Sequence, residues 1–347
     1  MSLVRSRDLV IFGQSYGVAY TDGPCYQPLM SRVNSAIASN PTAVQSRLGG
    51  SPTIADLQTF QRRNTSVSGS AILAMHTGTA GNYWLENDLT AGPLLTAATT
   101  SISGSSLTAG FGLHSQGEQE ATAITDFANV GKVRDGYSAI WAGIRAVARP
   151  SSPTSFPIFV DVLGIRYAGQ DEHEHWVRDA QLEAIASGTN IIRGCEKYAL
   201  KLGETTHPAR DLGGYAQMGA HTGRIVESWL LTGTAERGPS ISSAVRTGNS
   251  VAVAISTPSG KTLLKPTEPD FFGFWDASGN ALAITGFSWG DSTLTITTAG
   301  TPAKMRYPAR TGRVHDITNI IRLSAPTTPI YTGEPGLVLQ SAPAFTL

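Results

Sequence analysis

Along residues 1–232, solid apolar runs alternate with longer segments in which apolar residues recur every three or four positions. The runs at 8–12 ("DLVIF"), 69–76 ("GSAILAMH"), 107–118 ("LTAGFGLHSQGE") and 156–164 ("FPIFVDVLG") predict strands, and "NIIRGCE" (190–196) predicts another. Helices are predicted over 133–149, 174–187 and 213–231. The first carries an apolar stripe of Val133, Tyr137, Ile140, Trp141, Ile144 and Val147, and the last one of Tyr215, Met218, Ile225, Val226 and Trp229. Strands alternating with helices imply an α/β fold with a mostly parallel sheet covered on both faces. In such sheets chemistry sits beyond the carboxyl ends of the strands.

The pattern changes near residue 233. "TGTAERGPS" is a linker by composition. Short period-two runs follow at 250–256, 282–289, 292–300 and 303–309, separated by turn residues, and predict an antiparallel, all-β module. The division is therefore set at 1–235 and 236–347, the second part being β-sandwich-like.

Charge narrows the classes. Lys plus Arg equals Asp plus Glu at 26 each, and no basic run occurs, which argues against a nucleic-acid binder. Only 15% of residues are charged, and Gly, Ser, Thr and Ala abound, as in many secreted or surface proteins. No apolar run approaches the roughly 18–20 residues of a membrane span. The first residues show neither an h-region nor a small-residue cleavage site. An extracellular, periplasmic or virion-surface location is favoured over the cytoplasm, by a trimmed leader or another route of export. Cys25 and Cys195 are read as two free thiols, although pairing stays open, and they lack zinc-site clustering.

The predicted strand ends carry the candidate chemistry. The first delivers Gly13-Gln14-Ser15, the second "HTGTAGNYW" (76–84) and the third "HSQGEQEAT" (114–122). "GETTHPARDLGGYAQMG" (203–219) runs into the last helix. A serine, a glycine, a glutamine and a histidine are thus placed where a parallel sheet exposes them. Ester hydrolysis needs such a set: a base to activate the hydroxyl, histidine being the usual one near neutrality, and donors for the oxyanion.

"FGQSYG" resembles the first motif of the SGNH hydrolases, in the branch with Gly-Gln-Ser that contains carbohydrate O-acetylesterases, including sialate O-acetylesterase-like proteins. "HSQGEQEAT" is similar to their Gln-Gly-Glu-Ser motif, "VRDAQLEA" (177–184) to their Arg-Glu-Ala-Gln helix, and "THPARDLGGYAQMG" to their closing segment. The matches occur in order over roughly residues 8–231. The resemblance implies a three-layer α/β/α sandwich of SGNH/flavodoxin-like type and a serine esterase removing O-acetyl groups from a carbohydrate, without metal or organic cofactor. Ser15 would be the nucleophile and His207 the base. Glu204 stands where the family has an aspartate, and either completes a triad or leaves Ser15 and His207 as a dyad. The oxyanion would be held by the N–H groups of Ser15 and Gly78 and by the Gln116 amide. Tyr16, Tyr83 and Trp84 are candidate substrate-binding residues, with core packing the competing reading of the last two. The implied partner is an acetylated carbohydrate, and no oligomeric state is specified. Two other readings stand: a hydrolase of lipid or other small esters on the same fold, and a non-catalytic glycan-binding surface protein.

Several other residues invite a role. "QDEHEHWVRD" (170–179) is read as a loop between strand and helix, solvated or lining substrate rather than metal-binding. His221 is read as packing or exposed, while His76 and His114 are candidates for shaping the pocket. The C-terminal region is similar to the β-domain that follows the hydrolase in several such esterases. There a strand corresponding to Met305-Arg306-Tyr307 returns towards the catalytic domain, and Trp275 and Trp289 are its notable aromatics.

Overall fold

Leu9, Val10, Ile11 and Phe12 form the centre of the strand β1 (Ser6–Gly13), and all four are fully buried. The computed structural model describes residues 6–14, 17, 19–20, 23–48, 59–105, 108–164, 171–201, 209, 211, 213–309, 317–332 and 334–347. After β1 come α1 (Gly23–Ser39), α2 (Pro41–Arg47), β2 (Thr59–Asn64), β3 (Ala71–Leu73), β4 (Tyr83–Leu85) and α3 (Pro93–Ser103). They are followed by β5 (Ala109–Ser115), α4 (Glu118–Ala123), α5 (Val130–Ala148), β6 (Ile158–Val162), α6 (Asp171–Ser187), β7 (Ile191–Glu196) and α7 (Tyr215–Thr232).

Five strands form one parallel sheet in the order β2-β1-β5-β6-β7. Because side chains alternate along a strand, β1 feeds two cores. Leu9 and Ile11 join Val33 of α1, Val44 of α2, and Met218 and Val226 of α7. Val10 and Phe12 join Leu95 of α3, Tyr137, Trp141 and Ile144 of α5, and Val177 of α6 on the other face. Helices therefore cover both faces. Each large apolar side chain buried in this way contributes about 1.5–3 kcal/mol.

One predicted strand is misplaced. The residues 69–76 were expected in the sheet, but only Ala71–Leu73 are extended, pairing with β4 in a separate two-stranded ribbon. A 3₁₀ turn at Ala74–His76 follows. The sheet's second strand is β2, whose sequence "TFQRRN" is polar because it is an edge strand paired only with β1. Its Arg63 forms an ion pair with Asp8 at 2.7 Å. The other predicted elements of the α/β part correspond to β1, β5, α5, β6, α6, β7 and α7.

Past residue 236 the chain is antiparallel β: β8 (Ser240–Thr247), β9 (Ser250–Ser256), β10 (Leu263–Leu264), β11 (Gly273–Trp275), β12 (Ala281–Leu282), β13 (Ile284–Trp289), β14 (Thr293–Thr298), β15 (Lys304–Tyr307), β16 (Arg322–Leu323) and β17 (Ala342–Thr346). Two four-stranded sheets, β12-β11-β15-β17 and β13-β14-β9-β8, contribute Phe274, Met305, Val251, Val253, Leu294 and Ile296 to one core. The region is tied to the α/β part by buried and half-buried polar contacts. Arg32 of α1 pairs with Glu334 at 3.0 Å, and Arg224 of α7 with Glu236 at 2.6 Å. At the end of β15, Arg306 reaches Asp179 of α6 at 3.1 Å, and the Tyr307 and Tyr198 hydroxyls lie 3.0 Å apart. Among the described residues no helix is long and apolar enough to cross a membrane.

Candidate active site

In a parallel sheet all carboxyl ends lie along one edge, so Gly13, Ser115, Val162 and Glu196 end their strands on the same side. There β1 and β5 come unusually close. Gly13 has φ +116°, and a Cβ on it would lie 2.2 Å from the Ser115 carbonyl oxygen, so only glycine fits. Gln14 N–H donates to that oxygen at 2.7 Å. The Gln14 side chain is buried, and its Oε1 accepts from the Gln119 N–H of α4 at 3.3 Å. Gln119 in turn donates from Nε2 to the His76 carbonyl at 3.1 Å. The residue before Ser15 is thus held by the start of α4, and α4 by the segment leading to Gly78. Ser15, Tyr16, Glu204 and His207 lie outside the described residues.

The expected oxyanion donors sit differently from one another. Gly78 is exposed, with open space where a Cβ would be. Gln116 is fully buried, and its Nε2 donates to the Ser70 carbonyl at 2.7 Å and to Glu120 Oε2 at 3.3 Å. Ser70 Oγ contacts the Gly13 carbonyl at 3.3 Å and receives Trp84 Nε1–H at 3.1 Å. These contacts clamp the segment after β2 onto the ends of β1 and β5. Trp84, offered as a sugar-stacking ring, has no exposed surface and meets Phe12 edge-on, so its ring belongs to the core. Tyr83 is half-buried and donates its hydroxyl to Glu86 at 2.9 Å.

Beneath this edge lies a cluster of buried charge, of which the sequence reading missed Lys197 and Asp161. Lys197, just past β7, pairs with Glu118 of α4 and reaches Ser115 Oγ at 3.3 Å. Glu118 Oε2 has no hydrogen-bond partner among the described residues. Asp161 of β6 accepts from the Tyr20 hydroxyl at 2.9 Å and from the Cys195 N–H at 3.0 Å. Burial pushes its pKa up to about 6 against the pull of Lys197. An aspartate inside the apolar run "FPIFVDVLG" was the one signal available for it.

Glu120 is fully buried, and its carboxylate accepts the Ile72 N–H. Burial raises its pKa from 4.5 to about 7 despite that bond and the one from Gln116. An acid whose pKa rises on folding holds its proton more tightly in the fold. The stability it confers is full below the unfolded value and is lost as pH climbs to the folded one. At about 1.4 kcal/mol per pH unit, wild type should lose about 3 kcal/mol more than Glu120→Gln between pH 4.5 and 7. Urea unfolding at several pH values checks this, and parallel stability profiles would contradict it.

Burial favours the neutral form of four histidines, His76, His114, His175 and His221. His114 stacks on Phe12 at 4.6 Å and accepts Trp141 Nε1–H at 2.9 Å, and burial with the nearby Lys197 charge lowers its pKa to about 3. Burial similarly lowers His221 to about 3. His76 is buried and its pKa lowered. Of the segment read as a loop, residues 171–179 lie in α6, which begins three residues before the predicted helix start at 174. His175 is buried there beside Arg178, and burial plus the Arg178 charge depress its pKa. Cys25 and Cys195 are buried free thiols. Among the described residues, no group of three or more His, Cys, Asp or Glu could hold a metal ion. Asp211 pairs with Lys201.

No family model matches the chain, and no curated protein matches it in sequence. Among solved structures, a carbohydrate acetylesterase from Xanthomonas citri is similar over 85% of this chain and 61% of its own, with a TM-score of 0.54 and 14% identity. The chain thus spans about three fifths of the length of that structure. A protein of Arabidopsis thaliana matches over 55% of this chain and 66% of its own, with 16% identity and a TM-score of 0.34, too slight a likeness to argue from. The first likeness shows a shared fold.

Proposed function

We propose that the chain is a serine esterase of SGNH type that removes O-acetyl groups from a carbohydrate. The observation that carries this reading is the Gly-Gln-Ser segment at the carboxyl end of β1, in a fold shared with a carbohydrate acetylesterase. Residues 1–235 are proposed as a three-layer α/β/α catalytic domain and 236–347 as a β-sandwich module. An extracellular, periplasmic or virion-surface location suits such a substrate.

In this proposal Ser15 Oγ attacks the acetyl carbonyl while His207 takes the hydroxyl proton. The oxyanion is met by the N–H groups of Ser15 and Gly78. Collapse breaks the bond to the sugar oxygen, which leaves with the proton from His207. Water, deprotonated by His207, then attacks the acetyl carbon, and collapse breaks its bond to Ser15 Oγ, which takes the proton back from His207 as acetate leaves. Glu204 is assigned to orient the His207 ring. With both its N–H groups engaged, Gln116 is assigned to positioning the Ser70 segment rather than to the oxyanion. Tyr16 and Tyr83 are assigned to the pocket wall.

Acetate release from a panel of acetylated polysaccharides, set against hydrolysis of long-chain acyl esters, tests the substrate class. The proposal predicts turnover of at least one acetylated glycan and poor turnover of long acyl chains. Preference for long chains would favour a lipase. Inertness of the folded protein towards every ester would favour a glycan-binding protein.

A further inference from the structure

The peptide that joins β5 to α4 is pinned from two helices. The Gln116 carbonyl accepts from the Tyr137 hydroxyl of α5 at 3.3 Å and from Gln181 Nε2 of α6 at 3.3 Å. Gln181 is fully buried and does more than this. Its Nε2 also donates to the Asp161 carbonyl at 3.1 Å, and its Oε1 accepts the Leu163 N–H at 2.8 Å. One side chain thus joins the end of β6 to the turn after β5. Gly117, the next residue, has φ +128°, and a Cβ there would lie 2.7 Å from the Tyr137 oxygen. The turn therefore has little freedom of its own, and its placement depends on the groups that grip its carbonyl. That turn sets the start of α4, whose Gln119 N–H holds Gln14, the residue before Ser15.

We infer that Gln181 is a positioning residue of the active site, setting through the Gln116–Gly117 peptide and α4 the place of the Gly13-Gln14-Ser15 segment. The inference rests on the esterase reading above. An amide suits the task because it supplies a donor to two carbonyls and an acceptor to one N–H. Leucine supplies neither. A carboxyl group in the same place accepts from Leu163 in either state, but donates to a carbonyl only when protonated. The ionisable groups on the peptides that Gln181 grips are Tyr137 of α5, which shares the Gln116 carbonyl, and Asp161 of β6, whose own carbonyl it holds; Glu118 and Glu120 of α4 act on the first, and Glu118 and Lys197 on the second. Full burial and the two carbonyl oxygens within hydrogen-bond reach favour the protonated form of an introduced carboxyl in mild acid.

The test is hydrolysis of p-nitrophenyl acetate by wild type, Ser15→Ala, Gln181→Leu and Gln181→Glu, with folding of each checked by circular dichroism. Gln181→Leu should lower kcat by roughly 10-fold or more with KM within threefold, because misplacement by a fraction of an ångström is paid in the transition state. The ratio of Gln181→Glu to wild-type kcat should fall at least fivefold from pH 5.5 to 8.5, while both stay folded. A purely structural role would leave kcat per folded molecule and that ratio unchanged, which would overturn the inference. Should Gln181→Leu fail to fold, the pH ratio of the isosteric variant decides alone. If Ser15→Ala retains full activity, the assignment of Ser15 as nucleophile, on which the inference rests, falls. If it is inert while both Gln181 variants match wild type, only the positioning role falls.

Discussion

Ser15→Ala is expected to lower kcat for acetyl-ester hydrolysis on the order of 10⁴-fold or more, with the fold intact and KM changed little. Removing a nucleophile leaves only binding and oxyanion stabilisation, and groups that act as one unit lose nearly everything when one goes. His207→Ala should fall to a similar floor, and the double variant should fall no further. Glu204→Gln separates the two forms of the site. A triad predicts a loss of about 10²- to 10⁴-fold, because the imidazole loses the acceptor that fixes its tautomer. A dyad predicts a change of only a few-fold. Steady-state kinetics on p-nitrophenyl acetate reads all four variants. Wild-type rates in Ser15→Ala would exclude this serine.

Lys197→Met is expected to destabilise the protein by about 3–5 kcal/mol, the cost of leaving one partner of a buried ion pair uncompensated. Both side chains are essentially without exposed surface, and among the described residues Glu118 Oε2 has no hydrogen-bond partner. Removing the ammonium leaves the buried Glu118 carboxylate without its counter-charge and takes a donor from Ser115 Oγ. Replacing both members, Lys197→Met with Glu118→Leu, should recover most of the loss, since a buried pair exchanged for apolar groups is often neutral. Chemical unfolding at pH 7 measures both. A single variant as stable as wild type would mean that water or another group compensates Glu118.

The sequence reading succeeded where one element's own pattern decided its structure. The run from Leu9 to Phe12 is buried on both faces and reads as a strand without help. The stripe along 133–149 likewise reads as the helix α5. It failed at β2, where "TFQRRN" is a strand only because β1 lies beside it, and an edge position needs no apolar pattern. It failed equally at α1, whose interior holds Pro28. The candidate site divides in the same way. The end of β1 at Gly13, with Gln14 after it, was legible from the apolar run that precedes it. The contacts that hold it were not, because they join distant parts of the chain. Gln14 meets Gln119, Gln116 meets Gln181, and Lys197 meets Glu118, each from a different element. Trp84 shows the converse. Its place beside the expected oxyanion loop left a sugar platform open beside core packing, and the indole N–H bonded to Ser70 in the core decides for the second.

The central claim is that Ser15 forms a covalent bond with the acyl group. A fluorophosphonate tests this directly, since an activated serine Oγ displaces fluoride from phosphorus and the adduct is stable. After incubation, intact mass and peptide mapping should show one adduct per chain, on the peptide containing Ser15, and none on Ser15→Ala. An adduct on a different residue, or none on a folded protein that still releases acetate, would contradict the account.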